Sequence, residues 1–135
     1  MVEDTDFGDD SSIPFDEILL RRIPGSWTVW DDNKNDVRPS SQAFSDHPDG
    51  TPMSVFLAGE LTAAGQRPET ILAGHDGFSL VSISVGLVRD LGLTVRRRPL
   101  PNTVGHAEVC GKKTTRIRKE LAREALWVVR PLHFP

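Results

Sequence analysis

Residues 78–85 read FSLVSISV, with Val81, Ile83 and Val85 on one side of an extended chain and Phe78, Leu80, Ser82 and Ser84 on the other. That two-residue repeat is the period of a strand, because successive side chains of an extended chain point to opposite faces. On its N-terminal side Gly74, His75, Asp76 and Gly77 form a turn. On its C-terminal side residues 86–91 suit a short helix stopped by Gly92, and residues 93–98 resume as a strand until Pro99 and Pro101 prevent continuation. Further out, residues 53–58 and 106–110 read as short strands, and residues 27–30 enter a hairpin arm whose turn is the Asx-rich run 31–36. Pro14 suits a first helical position and Ile18, Leu19 and Ile23 form one apolar stripe, which predicts a helix ended by Pro24 and Gly25. Residues 61–66 and 68–73 are two short helical pieces, and residues 115–128 form the longest helix. Strands and helices do not alternate regularly, and turns separate several strand pairs. The expected fold class is therefore α+β: a single small domain, a mixed or mainly antiparallel sheet and about three helices, the longest at the C-terminus.

A chain of 135 residues with 38% apolar and 26% charged side chains can build one hydrophobic core but not two ordinary ones. Residues 1–12 are acidic and lack periodicity, so a disordered tail is expected there, with residues 13–135 as the folded domain. The single cysteine, Cys110, excludes an internal disulfide and any zinc site built on two thiolates, and tyrosine is absent. No basic, apolar leader opens the chain and no apolar run approaches membrane-spanning length, so a cytoplasmic protein with no membrane partner is expected. Charge is unevenly distributed. Residues 1–36 carry ten acids against three bases, whereas residues 96–135 carry ten bases against three acids.

The basic end has a pattern. At roughly 100° per residue, Ile117, Leu121, Ala125 and Val128 share one arc with Ala122, Leu126 and Val129. Lys112, Lys113, Arg116, Lys119, Arg123 and Trp127 lie on the other side, and Arg118 is the misfit that must snorkel out of the apolar arc. A basic helix face beside an indole is what phosphate contact and base stacking require, although a charged outer face is also ordinary for a surface helix. The reading that follows is a non-enzymatic binding or accessory module. Its basic face would contact an anionic partner, nucleic acid or an acidic protein surface, with no cofactor. An immunity- or accessory-type protein that recognises another protein through its acidic end is a further possibility of the same composition.

Residues 105–114, GHAEVCGKKT, exclude two familiar chemistries. Five residues separate the glycines and Lys113 stands where a P-loop has its magnesium-binding hydroxyl. His106 and Glu108 copy the H-x-E of zinc deaminases, but the two further thiolates are missing. On a strand His106, Glu108 and Cys110 share a face; Cys110, about 13 Å from His106, cannot be its nucleophilic partner. Gly111 and the lysines could hold an anion at the helix entrance, or Thr114 or Thr115 could simply cap it. His47 with Asp46 and Asp49, and His75 with Asp76, sit in glycine-containing turns that use Asp for backbone reasons, so no metal is assigned. His133 carries no visible partner.

One enzymatic alternative follows from order along the chain. Arg38, then Ser82 and Ser84, then Glu108 resemble the phosphate-binding arginine, the pocket serines and the glutamate of ADP-ribosyltransferases. The resemblance implies NAD as the cofactor of that reading alone. His106 stands where those enzymes carry a second Glu or Gln two residues before the catalytic one.

Overall fold

The computed structural model describes residues 8–131. Among them, eight strands and three α-helices succeed one another: β1 (Ile18–Ile23), β2 (Thr28–Asp31), β3 (Asp36–Pro39), β4 (Met53–Leu57), α1 (Ala58–Ala63), β5 (Ser79–Ser84), α2 (Val85–Asp90), β6 (Thr94–Arg97), β7 (His106–Cys110), α3 (Thr115–Glu124) and β8 (Leu126–Val129). Six strands form one sheet in the order β6-β7-β4-β1-β5-β8, and β2 pairs with β3 as a separate hairpin. Every pairing is antiparallel. The domain is α+β, as the interspersed elements predict.

Alternation along the strands divides the sheet into two unlike faces. Leu19 and Ile23 of β1, Met53, Val55 and Leu57 of β4, and Val81 and Ile83 of β5 point to one face. There they pack against Val85 and Val88 of α2 and against Ile117, Leu121 and Ala122 of α3, with Phe44 and Ile13 filling the layer. The opposite face buries a smaller group, Leu20, Phe56 and Leu80, beneath Leu61 of α1 and Ile71 of a 3-10 turn at Pro68–Leu72. That lid is short, and it leaves the remaining part of the second face open.

Two expected helices are corrected. Residues 18–23 are the sheet's central strand, pairing with β5 from Ile18↔Ser84 to Ile23↔Ser79 and with β4 on the other edge. The stripe of Ile18, Leu19 and Ile23 was compatible with helical spacing, but this segment pairs with β5 along its whole length and with β4 at Leu19 and Leu20, so neighbours override local periodicity. The C-terminal helix ends at Glu124 instead of reaching residue 128, because Ala125 turns to φ −65°, ψ 141°. Residues 126–129, LWVV, are rich in strand-forming side chains and close the free edge of β5.

The N-terminal segment also differs from expectation. Residues 1–7 of the expected tail, and His133, lie outside the described residues, but Asp9 and Asp10 are docked along the edge of β6. The Asp10 N–H donates to the Val95 carbonyl at 2.8 Å, and the Asp9 carboxylate accepts from the Val95 N–H at 3.0 Å. Asp9 pairs with Arg89 at 3.1 Å and Asp10 with Arg97 at 2.8 Å. An open sheet edge is a row of unpaired backbone groups, and this segment occupies one.

Leu121 is fully buried, so Leu121→Ala is expected to lower stability by about 2–5 kcal/mol in urea unfolding. Hydrogen bonds from Ser12 and the Arg97 guanidinium hold the Asp10 carboxyl below its ordinary value of 3.8. Its contribution to stability is thus complete above 3.8 and lost as pH falls through the lower folded-state value. The stability gap between wild type and Asp10→Asn, followed by urea unfolding across acid pH, should close in that window.

Candidate functional site

The residues singled out in sequence separate in space. Arg38, on β3, donates to the Asp31 carboxylate at 3.1 Å and to the Pro39 carbonyl at 3.0 Å. Ser84 accepts from the Leu87 N–H at 3.0 Å and caps α2. Glu108 is 4% exposed, its carboxylate gripped by Arg96 Nη2 at 2.7 Å and Nε at 3.1 Å. Ser82 on β5 and Glu108 on β7 have β1 and β4 between them, roughly 14 Å at three strand spacings. The structure does not bring Ser82 and Glu108 into one site, and Arg38 belongs to the other sheet.

The basic face is also divided. Thr114 caps α3 by accepting from the Ile117 N–H. Lys113 is buried, with Nζ 2.7 Å from Asp46 and 2.9 Å from the Gly111 carbonyl. Arg123 pairs with Glu120 and Glu124. Trp127 is not on the helix at all. It belongs to β8, half-buried, and its indole N–H donates to the Val37 carbonyl at 3.1 Å. Arg118 folds back to donate to the Lys113 carbonyl at 3.1 Å. Lys112, Arg116 and Lys119 remain exposed.

A different set of residues converges on the open part of the second sheet face. Period-two alternation sends Arg22 there from β1, Ser54 and Phe56 from β4, and His106 from β7, while Phe56 is in register with Leu20 on one side and His106 on the other. The turns after β3 and before β5 add His47 and His75. Arg22, Ser54, Phe56 and His75 border two adjoining hollows of about 300 and 430 Å³. The first extends toward Trp27, His47 and Phe78, and the second toward Ile71, Leu100 and His106.

The hydrogen bonds here have a direction. His106 Nδ1 is 2.7 Å from the Arg98 carbonyl, which only accepts, so Nδ1 carries the proton. In the neutral ring Nε2 is then a lone pair, and it lies 3.2 Å from Ser54 Oγ. Ser54 therefore donates to His106, and its oxygen is left to accept from His47 Nε2 at 3.4 Å. The result is a relay from His47 through Ser54 and His106 to a backbone carbonyl. The His106 ring packs edge-on against Phe56, with centroids 5.7 Å apart.

The electrostatics favour anions. The Arg22 guanidinium stacks 4.9 Å over the Phe56 ring and donates through Nη1 to the Ile71 carbonyl at 3.0 Å. Partial burial lowers its pKa from the ordinary arginine value. Arg21 beside it is buried and donates to the Ala43 carbonyl at 3.0 Å and the Ser54 carbonyl at 2.7 Å. Desolvation, then repulsion from Arg22, brings Arg21 down to about 10, against the attraction of Asp46. A guanidinium keeps its proton near neutral pH, so both arginines stay cationic. Asp46 is the one carboxylate among the described residues lining the hollows, and it is already engaged by Lys113 and by the Met53 N–H at 3.0 Å. Among the described residues no group of three or more His, Cys, Asp or Glu side chains could hold a metal ion.

His106 and Glu108 share a strand face, as their spacing predicts, but Glu108 is held by Arg96 and His106 turns to Ser54. His47 and His75 read as turn residues, and Arg22 was hidden in the misread helix. Burial pushes the Cys110 thiol pKa up, in keeping with an unreactive core side chain. No helix among the described residues is long and apolar enough to cross a membrane. Comparison of the chain with protein families, curated proteins and solved structures finds no match.

Proposed function

We propose that the protein binds a small organic anion, with a phosphate or carboxylate head and an apolar or planar body, in the cleft between Arg22, Phe56 and His106. The observation that carries this reading is Arg22: a half-buried guanidinium on an aromatic floor, beside a second buried arginine, in a cleft whose one carboxylate is engaged elsewhere. A partly desolvated cation seeks an anion more strongly than an exposed one, since the surrounding dielectric screens the attraction less. Phe56, Phe78 and Leu100 supply apolar wall, and cavities of a few hundred Å³ suit small molecules. Isothermal titration with phenyl phosphate and with inorganic phosphate tests the proposal. Phenyl phosphate is expected to bind more tightly than phosphate, and Arg22→Gln to weaken it at least about tenfold, the loss of roughly one charge-assisted hydrogen bond. Absence of heat with either anion overturns it.

A second reading keeps the helix face as the seat of a polyanionic partner, nucleic acid or an acidic protein surface. Lys112, Arg116 and Lys119 favour it, because all three are exposed on one stretch of chain. Arg123 and Trp127 contribute less to this reading than their spacing suggested, since both have partners within the fold. Charge reversal at Arg116 and Lys119 should then abolish binding of a labelled single-stranded oligonucleotide at about 50 mM salt, and the wild type should release it at about 200 mM. Lack of wild-type binding at the lower salt removes nucleic acid from this reading.

A further inference from the structure

The same cleft holds the parts of a covalent hydrolytic mechanism, and we propose that Ser54 is a nucleophile toward acyl esters, with His106 as its base. The inference rests on the cleft being a small-molecule site; the chemistry is then assigned by the relay. A serine hydroxyl is a weak nucleophile unless a base stands ready to take its proton, and the useful distance is about 2.6–3.2 Å. Ser54 Oγ and His106 Nε2 are 3.2 Å apart. The base must present a lone pair on the correct nitrogen, and the 2.7 Å bond from Nδ1–H to the Arg98 carbonyl selects that tautomer. The same bond holds the ring in place and stabilises the imidazolium formed after proton transfer. A backbone carbonyl thus does here what a carboxylate does in a Ser-His-Asp triad.

The remaining requirement is a donor for the negative charge that develops on the acyl oxygen. At Ser54 β4 pairs with β7 alone, opposite Glu108, because the ladder to β1 covers only Phe56 and Leu57, and the Ser54 carbonyl accepts from the Arg21 side chain instead. His47 Nε2, 3.4 Å from Ser54 Oγ and on its other flank, is the donor beside the reacting oxygen. Arg22 borders the same hollow and holds an anionic group of the substrate, which makes an ester bearing a second, free carboxylate the preferred class.

Each proton and bond in the cycle is accounted for. Ser54 Oγ attacks the ester carbonyl carbon as its proton passes to His106 Nε2. The tetrahedral intermediate breaks its C–O bond to the alcohol, which leaves with the proton from Nε2, and an acyl-serine remains. Water then enters, gives a proton to Nε2 and attacks the acyl carbon. Ser54 Oγ departs and recovers that proton, releasing the carboxylic acid.

The test uses the full chain with a fluorophosphonate, which phosphonylates a serine activated in this way and expels fluoride. The expected result is one adduct by mass spectrometry, mapped to the peptide containing Ser54, absent in Ser54→Ala and formed about a hundredfold more slowly in His106→Gln. Wild type should also hydrolyse mono-4-nitrophenyl succinate with kcat/KM about tenfold above that for 4-nitrophenyl acetate, and phenyl phosphate should inhibit it. Circular dichroism and thermal unfolding of the variants show that each is folded. Phenyl phosphate binding without any Ser54 adduct overturns the nucleophile assignment and leaves the anion site standing. An adduct on a different serine, or hydrolysis that persists in Ser54→Ala, overturns it as well. Failure of both binding and labelling overturns the two proposals together.

Discussion

β1 pairs with β5 along its whole length and with β4 at Leu19 and Leu20, and the rest of the domain is arranged around that constraint. A strand fixed on both edges can place its side chains only above or below the sheet. Leu19 and Ile23 go to the large core, Leu20 to the small one, and Arg22 to the open part of the second face. Because β4 and β7 continue the same alternation, Ser54 and His106 arrive beside Arg22 without any irregular loop to position them. The site is therefore built largely on rigid sheet, which favours fixed distances over adaptability.

Charge follows the same geometry. The acidic first third and basic last third of the chain, so conspicuous when counted in sequence, meet in the fold: Asp10 with Arg97 and Asp36 with Arg130. Lys113 and Asp46 form a further pair, with the lysine side chain almost wholly buried. Much of the apparent polarity is thus an internal matter of the fold. What stays uncompensated is local. Arg21 and Arg22 are adjacent cations on one strand, and burial prevents water from screening them as it screens Lys112, Arg116 and Lys119 on the surface.

The proposed chemistry and the proposed binding lean on different observations. Binding leans on the arginine and the apolar wall, whereas nucleophilic attack leans on the directed hydrogen bonds through Ser54. The Arg98 carbonyl links them to the end of β6, because it is the acceptor that orients His106, and Arg98 follows directly on the strand clasped by Asp9 and Asp10. The N-terminal segment thereby steadies the edge strand from which that carbonyl emerges.

The elements readable from the residues alone are those whose signal is local. The alternation of residues 78–85, the Asx-rich hairpin turn at 31–36, the glycine and proline stops, and the α+β class all arise from backbone preferences within a few residues, and all are present in the structure. A threonine cap at 114 or 115, which the fold places at Thr114, and the apolar arc of Ile117, Leu121 and Ala122 were legible for the same reason. That residues 18–23 are a strand and residues 126–129 leave the helix follows from long-range pairing, because both segments satisfy two periodicities and the choice belongs to the strands beside them. The cleft was illegible on the same ground. Arg22, Ser54, His75 and His106 are spread over more than eighty residues of chain, each ordinary in its own neighbourhood, and their chemistry comes from sheet pairing that places distant strands side by side.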